Sequence, residues 1–164
     1  MQNISLGVLE ARIADLSLDL PQVSELKGNY RSYEIVGNLI YISGQLPMGP
    51  GGEISVVHTG RVGSKITESD GYDAARLCLL NVLAHARLGL GSLDRIVQCV
   101  RLGGFVNVEP DYTTPGLVMN GASDTIVDIM GSSGRHSRTT LGVASLPLGA
   151  CVEVEAIFEF DPER

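Results

Sequence analysis

Residues 134–160, with the sequence GRHSRTTLGVASLPLGACVEVEAIFEF, place two arginines and a histidine directly before a long run of strand-forming residues. The run is interrupted at LPLG, residues 146–149, where proline and glycine are typical of a turn. It therefore predicts two strands joined by a turn. In the second strand, Glu153 alternates with Val152 and Val154, as in a strand that buries one face and exposes the other. The cations before the first strand need a separate explanation.

The length and hydrophobic content of the chain predict a single globular domain. Its 164 residues, 44% of them hydrophobic, are enough to bury a substantial core. No stretch of the sequence approaches the roughly 18 to 20 uninterrupted apolar residues of a membrane span. Glu10, Arg12 and Asp15 stand where a signal peptide would need its apolar region. We therefore expect a cytoplasmic protein with no membrane partner.

Charge, cysteine usage and histidine spacing limit the classes of site. The formal net charge of -7 repels polyanions, so nucleic acid is not an expected partner. Cys78, Cys99 and Cys151 each lie in an apolar run without CxxC spacing, which favours buried free thiols over catalytic ones. The histidines lie far apart and form no metal-binding motif, so no metal site is expected.

Three segments show the apolar periodicity of helices. The first covers residues 4–17. The second begins at Thr67, where Asp70 completes a variant capping box, and runs to about Gly89. The third ends at Gly131. Their apolar stripes consist of Leu6, Leu9, Ile13 and Leu16; of Tyr72, Ala75, Leu79, Val82, Leu83 and Ala86; and of Val118, Ala122, Ile126 and Ile129.

Strands are predicted in the remaining hydrophobic segments. Residues 38–45 form the buried strand of a hairpin, residues 54–57 a short strand, and residues 95–108 a long one in which Gly103 and Gly104 indicate a bulge. The order of helix, strands, helix, strand, helix and strands fits an α+β protein with helices on one face of a mixed sheet. Because the chain has few aromatic residues, the open face of this sheet must be covered, and self-association is the simplest cover.

Four segments together resemble one protein family. They are GNYRSYEIVGNLIYISGQLP (residues 28–47), IVQCVRLGGFVNV (96–108), VMNGASD (118–124) and RTTLGVASLPLGACVEVEA (138–156). The chain resembles the RidA/YjgF family of reactive-intermediate deaminases, also called the endoribonuclease L-PSP family. The resemblance implies one domain over residues 1–164 with a chorismate-mutase-like fold, two main helices on one face of the sheet, and assembly as a homotrimer with clefts between subunits. Residues 28–160 would form the core, and residues 1–20 an N-terminal helical extension typical of a longer subgroup.

The resemblance also assigns site residues. Arg138 falls where the family keeps its substrate-binding arginine, and Glu153 where it keeps an acidic residue of the cleft. Tyr30 takes the place of the tyrosine in a Gly-Pro-Tyr element, although this chain has asparagine instead of the proline. Gly44 matches a Ser-Gly-Gln turn, and Asn120 matches the asparagine that begins the second main helix.

Two departures from the family pattern concern the substrate. Thr140 stands where many members have a cysteine two residues after the arginine, so a hydroxyl replaces a thiol. Residues 110–117 look like a loop longer than the core pattern, which would reshape one wall of the cleft. Thr140 is therefore expected to line the substrate site, with a specificity that the family pattern leaves open.

The resemblance implies hydrolysis of enamine and imine acids such as 2-aminoacrylate to 2-oxo acids and ammonia, without a metal or an organic cofactor. A planar guanidinium suits the substrate carboxylate because it donates two parallel hydrogen bonds and stays charged. Glu153 would move protons during water attack and ammonia loss. Tyr30, Asn120 and the amide of Gly44 would orient the ligand or the water.

Each assignment has a structural alternative. Arg138 is also explained as a surface cation that blocks edge pairing of a strand, and Glu153 as the solvent-facing position of a half-buried strand. Tyr30 is also explained as a packing aromatic, and Asn120 as a helix N-cap. Arg135 and His136 are interpreted as ordinary loop residues, with a place at the mouth of the cleft as the alternative.

Two functions compete with the deaminase. One is a non-catalytic trimer that binds small carboxylic acids, which would need Arg138 but not Glu153. The other is the endoribonuclease implied by the family's second name, which the acidic charge and the lack of a basic stripe disfavour.

Overall fold

A computed structural model describes residues 7–23 and 28–164 of the chain. This described part contains three α-helices and one five-stranded sheet, in the predicted order. The helices are α1 (Val8–Asp15), α2 (Glu68–Leu90) and α3 (Pro115–Met130). The strands are β1 (Tyr33–Val36), β2 (Leu39–Gln45), β3 (Ile96–Asn107), β4 (Ser137–Val143) and β5 (Val152–Phe160).

The sheet is mixed, as predicted. Its strand order is β1-β2-β5-β3-β4. β3 and β4 are parallel, whereas the other neighbouring pairs are antiparallel. The two strands predicted on either side of LPLG exist, but they are not neighbours, because β3 lies between them. β4 is consequently an edge strand of the sheet.

Helices α2 and α3 cover one face of the sheet. Burial alternates along β5, where Val152, Val154, Ala156, Phe158 and Phe160 are buried in the core and the intervening residues are more exposed. Apolar residues of β5 meet those of α2 and α3 in this core, which accounts for the alternating pattern seen in the sequence. The opposite face of the sheet, called the open face below, carries no helix of the described chain.

Local signals set the bounds of α2. The Thr67 side chain accepts a hydrogen bond from the backbone N–H of Asp70, and the Asp70 carboxylate accepts one from the N–H of Thr67. This reciprocal pair is the predicted capping box, which satisfies two free amides of the first turn. Gly91 ends the helix with a φ of 80°, a conformation that favours glycine.

The N-terminal helix is shorter than the predicted residues 4–17. α1 covers Val8–Asp15, and residues 4–6 of the predicted helix, including Leu6, lie outside the described residues. Ile13 is buried in the core, and Leu9 and Leu16 pack against it. The predicted stripe therefore holds for the part of it that the structure describes.

Two details of the predicted strands are wrong. Ile54 forms only an isolated bridge with Met48, and Val56–His58 form a 3-10 turn instead of a strand. The register shifts of β3 lie between Ile96 and Arg101, not at the two glycines. Gly103 and Gly104 instead leave room for neighbouring side chains, since a Cβ atom would overlap Glu155 at the first and Met119 at the second.

The cysteines are free and buried, as predicted. Burial is the main cause that raises the pKa of Cys99 and of Cys151 to about 12, and it also raises the pKa of Cys78 well above its ordinary value. Because the thiolate is the reactive form of cysteine, these side chains serve the core.

Gly121 is expected to be essential for the contact between α3 and α2. A Cβ atom at this position would overlap the backbone carbonyl of Tyr72, which cannot turn aside as a side chain can. We expect Gly121→Ala to destabilise the protein by about 1 to 3 kcal/mol, measured by thermal or urea unfolding. Gly116→Ala in the same helix is the matched control for stability, because its Cβ would make only ordinary contact, and it should unfold no earlier than the wild type. Equal stability of the two variants would contradict this account of the packing.

Candidate functional site

Arg138 is held by three hydrogen bonds to α3. Its Nη1 atom donates to Asn120 Oδ1 at 2.9 Å and to Ser123 Oγ at 3.0 Å. Its Nη2 atom donates to the carbonyl oxygen of Gly116 at 3.3 Å. The guanidinium is thus fixed on the helix side of the sheet, at the edge formed by β4, while the residue remains exposed.

Helical spacing brings the three acceptors together. Gly116, Asn120 and Ser123 are separated by four and three residues, so they share one face of α3. The expectation that Asn120 begins and caps this helix is wrong, because the helix begins at Pro115 after Thr114. Pro115 occupies the first position of the helix, where a backbone N–H would have no partner within the helix in any case. Asn120 lies in the second turn and serves as an acceptor for Arg138.

The hydrogen bonds leave one edge of the guanidinium open. Arginine has five N–H donors, and the three bonds to α3 use both hydrogens of Nη1 and one of Nη2. Nε–H and the second hydrogen of Nη2 have no acceptor among the described residues. In a guanidinium, Nε–H and the Nη2 hydrogen beside it point in parallel, and such a pair matches the two oxygens of a carboxylate.

A serine and a histidine extend this cluster, although no sequence pattern marked either of them as a site residue. The Ser123 hydroxyl lies 3.0 Å from Nε2 of His136, and Nδ1 of His136 lies 2.6 Å from the carbonyl oxygen of Gly134. His136 was interpreted as an ordinary loop residue. Its position two residues before Arg138 was the one available signal, since alternate residues of an extended chain point to the same side.

Thr140 follows Arg138 on the same side of β4. Its Oγ1 atom is buried and has no hydrogen-bond partner among the described residues. An unpartnered buried hydroxyl costs free energy unless water or a ligand satisfies it. The expectation of a long loop over residues 110–117 is partly wrong, because residues 115–117 form the first turn of α3.

Glu153 lies on the open face, directly over Gly44. A Cβ atom at position 44 would overlap the Glu153 carboxylate, so a larger residue there would displace this side chain. Gly44 falls in a register shift between Ile42 and Gln45 where β2 pairs with β5. Burial, followed by the negative charge of Glu155, raises the pKa of Glu153 above its ordinary value of 4.5. A raised pKa brings this carboxyl closer to the range in which acids exchange protons at neutral pH.

Tyr30 lies near the same end of β2. The carbonyl oxygen of its neighbour Arg31 accepts a hydrogen bond from Ser43 Oγ, one residue before Gly44. The tyrosine is 57% exposed, and its hydroxyl has no hydrogen-bond partner among the described residues. It is not a core aromatic, and it is free to contact a ligand or a second chain.

Within one chain, Arg138 and Glu153 do not form a common site. Arg138 pairs with Leu102 on β3, which pairs with Ala156 on β5, three residues along that strand from Glu153. Strand geometry then separates the two residues by about 10 Å across the sheet and about 10 Å along it. Their side chains also lie on opposite faces, since Arg138 contacts α3 and Glu153 faces away from the core.

The open face contains a cavity of about 260 Å³ whose lining includes Arg31, Ser43, Arg101 and Glu155. Neither Arg138 nor Glu153 lines it, so it does not unite the two candidate groups. Among the described residues, no group of three or more His, Cys, Asp or Glu side chains could hold a metal ion. No α-helix in the described ranges combines the length and apolar character needed to cross a membrane.

Comparison with known proteins gives matches over most of the chain. A model of the family described as "YjgF/chorismate_mutase-like, putative endoribonuclease" matches residues 10–160. Protein TCP17 of Trypanosoma cruzi is 39% identical over 162 residues, which are 98% of this chain and 99% of that protein.

Solved structures also match most of the chain. A protein of unknown function from Agrobacterium tumefaciens is 42% identical, has a TM-score of 0.86 and is matched over 94% of both chains. A "putative endoribonuclease" from Shewanella oneidensis is 36% identical, has a TM-score of 0.88 and covers 94% of this chain and 100% of its own. TdcF from E. coli, solved with bound serine, shares the fold at 24% identity, with a TM-score of 0.60 over 87% of this chain and 94% of that one.

Proposed function

The chain belongs to the YjgF/chorismate mutase-like family, and from this premise we propose that it hydrolyses imine and enamine acids in a site built between two copies of the chain. The family match confirms the resemblance found in the sequence, together with its mixed-sheet fold. Substrate, reaction and assembly go beyond that match. They rest on the contacts of Arg138, Glu153 and Gly44.

The open edge of Arg138 is the observation that carries the proposal. Asn120 and Ser123 fix Nη1, so Nε–H and one hydrogen of Nη2 remain for a planar anion. The three hydrogen bonds to α3 argue against the alternative of a simple surface cation, because a cation that only blocks edge pairing would not require a fixed orientation. A carboxylate on this edge would bring the adjacent imine carbon next to the side chains around Arg138, including Thr140.

Hydrolysis also needs a water and a group that moves protons. In the proposed reaction, an enamine acid first becomes its imine tautomer, as nitrogen loses a proton and the terminal carbon gains one. Water oxygen then forms a bond to the imine carbon, and the C–N double bond becomes single. Glu153 accepts a water proton and passes it to nitrogen, then does the same with the remaining hydroxyl proton as ammonia leaves and the 2-oxo acid forms. The raised pKa of Glu153 suits it to both steps. Gly44 and Tyr30 lie near the same end of β2, and we propose that the Gly44 amide and the Tyr30 hydroxyl orient this water.

Two copies of the chain are required because Arg138 and Glu153 lie on opposite faces of one sheet. Contact between the β4 edge of one copy and the open face of the next would bring Arg138 to the partner's carboxylate. The open face offers apolar area for such a contact, since Tyr41 is 39% exposed and Leu141 52%. A head-to-tail contact of this kind forms a ring when the rotation between neighbouring copies closes, and the family resemblance favours three subunits.

We therefore expect a homotrimer in solution. Sedimentation equilibrium or light scattering should give three times the chain mass of 17.4 kDa at micromolar concentration. A stable monomer under these conditions would contradict both the assembly and the shared site.

The reaction is tested with a coupled assay. A dehydratase that releases 2-aminoacrylate is mixed with this protein, and pyruvate formation is followed against the dehydratase alone. The proposal predicts faster pyruvate release with the protein present, and an unchanged rate would contradict it. An unchanged rate together with pyruvate binding would support the non-catalytic trimer instead.

The endoribonuclease named in the family description has less support from this chain. Ribonucleic acid needs basic contacts to its phosphates, and the chain carries a formal charge of -7. We propose a small carboxylate as the ligand, with no nucleic acid partner, no metal and a cytoplasmic location.

A further inference from the structure

We infer that Ser123 and His136 form a hydrogen-bonded relay that positions Arg138 for its carboxylate ligand. This inference rests on the proposed function, because it concerns how the arginine of that site is held. Neither residue contacts the open edge of the guanidinium. Both are therefore positioning residues and not catalytic ones.

The direction of each hydrogen bond in the relay follows from its partners. The Gly134 carbonyl can only accept, so Nδ1 of His136 carries the proton that it donates. In the neutral ring, Nε2 is then an acceptor, and the Ser123 hydroxyl donates to it. The lone pairs of Ser123 Oγ are thereby directed to Nη1 of Arg138, which donates to them. For the neutral ring, each donor in this series of hydrogen bonds has one acceptor, and only one order of bonds is possible.

The relay sets the orientation of the guanidinium. Arginine side chains have many rotamers, and fixing one costs entropy when the ligand binds. Ser123 and Asn120 hold the two hydrogens of Nη1, which turns the Nε and Nη2 edge away from α3. Without His136, the serine hydroxyl is free to rotate, and its lone pairs are no longer directed to Arg138. A carboxylate would then have to order the arginine at the moment of binding, which lowers affinity.

Pyruvate binding, measured by calorimetry on the intact protein, tests the relay. Ser123→Ala and His136→Phe should each weaken binding roughly three- to tenfold, the size expected for one hydrogen bond. His136→Gln provides an acceptor near the position of Nε2 and should bind within about twofold of the wild type. Ser132→Ala, an exposed serine of the same connection between α3 and β4, is the matched control and should bind like the wild type.

The double variant separates a relay from a general loss of structure. Because His136 acts only through Ser123, adding His136→Phe to Ser123→Ala should cause no further loss of affinity. Independent, multiplying effects would overturn the relay. Unchanged binding in both single variants, with a wild type that binds pyruvate, would also overturn it while leaving the proposed function in place. A wild type that does not bind pyruvate would overturn both.

A measurement without mutation keeps the inference testable if His136→Phe does not fold. Nitrogen-15 spectra of the wild type at pH 8 should show the His136 ring protonated at Nδ1 and unprotonated at Nε2. The opposite tautomer would overturn the relay, because Nε2 would then donate to Ser123.

Discussion

Replacing Arg138 with alanine is expected to remove 2-oxo acid binding and any deaminase activity while the fold stays intact. Charge-assisted hydrogen bonds of the type that its open edge would make contribute about 1.5 to 3 kcal/mol, so pyruvate affinity should fall at least about tenfold. Stability should fall by about 1 to 2 kcal/mol at most, because the three hydrogen bonds to α3 are lost but the residue is exposed on an edge strand. Calorimetric titration and thermal unfolding measure the two quantities.

Two further variants sharpen this test. Arg138→Lys keeps the positive charge but loses the planar pair of donors, so its affinity should lie between those of the wild type and Arg138→Ala. Arg87→Ala removes an exposed arginine of α2 and is the matched control for net charge, with binding unchanged. Unchanged pyruvate binding by Arg138→Ala would return Arg138 to the role of an edge cation and make Arg135 the next candidate.

Replacing Glu153 with glutamine should separate binding from turnover. Glutamine keeps the size of the side chain but cannot accept a proton, so the rate of pyruvate formation should fall by roughly 10² to 10⁴. Pyruvate affinity should stay near that of the wild type or rise, because a negative charge near the carboxylate site is removed. Glu159→Gln, on the same face of β5, is the matched control and should retain the wild-type rate.

The pH dependence gives a second readout for Glu153. Since the first step requires the ionised carboxylate and burial raises its pKa, the acid limb of the rate should lie above pH 4.5. Activity would then be lost as the pH falls through the raised pKa, and this limb should be absent from any residual activity of Glu153→Gln. An equally active Glu153→Gln variant would assign the proton transfer to another group. Inactivity of both wild type and variant, with pyruvate binding retained, would favour the non-catalytic trimer.

Local patterns predicted the helices well because their signals lie within a few residues. Thr67 and Asp70 form the capping box seen in the sequence, and the stripe from Val118 to Ile129 faces the core as its spacing predicts. The strand predicted over residues 54–57 was wrong because a short apolar run contains no information on whether a partner strand is available. Only a bridge to Met48 forms there.

The order of the strands in the sheet could not be predicted from local sequence patterns. The sequence predicted two strands joined by a turn at residues 146–149, but the insertion of β3 between β4 and β5 depends on the whole sheet. The role of Arg138 in substrate binding was predicted from the family resemblance and not from periodicity. Ser123 was missed because a lone serine in a helix has no distinctive pattern, and its contacts to Arg138 and His136 exist only once α3 packs beside β4.

The shared site is tested most directly by mixing two inactive variants. Arg138→Ala and Glu153→Gln are co-expressed in equal amounts, and the purified mixture is assayed for pyruvate formation beside each variant alone. If each site takes Arg138 from one subunit and Glu153 from the next, random assembly restores about a quarter of the sites, and the mixture should regain about a quarter of the wild-type activity. A mixture that is as inactive as its components, from subunits shown to assemble together, would contradict a site built between two chains.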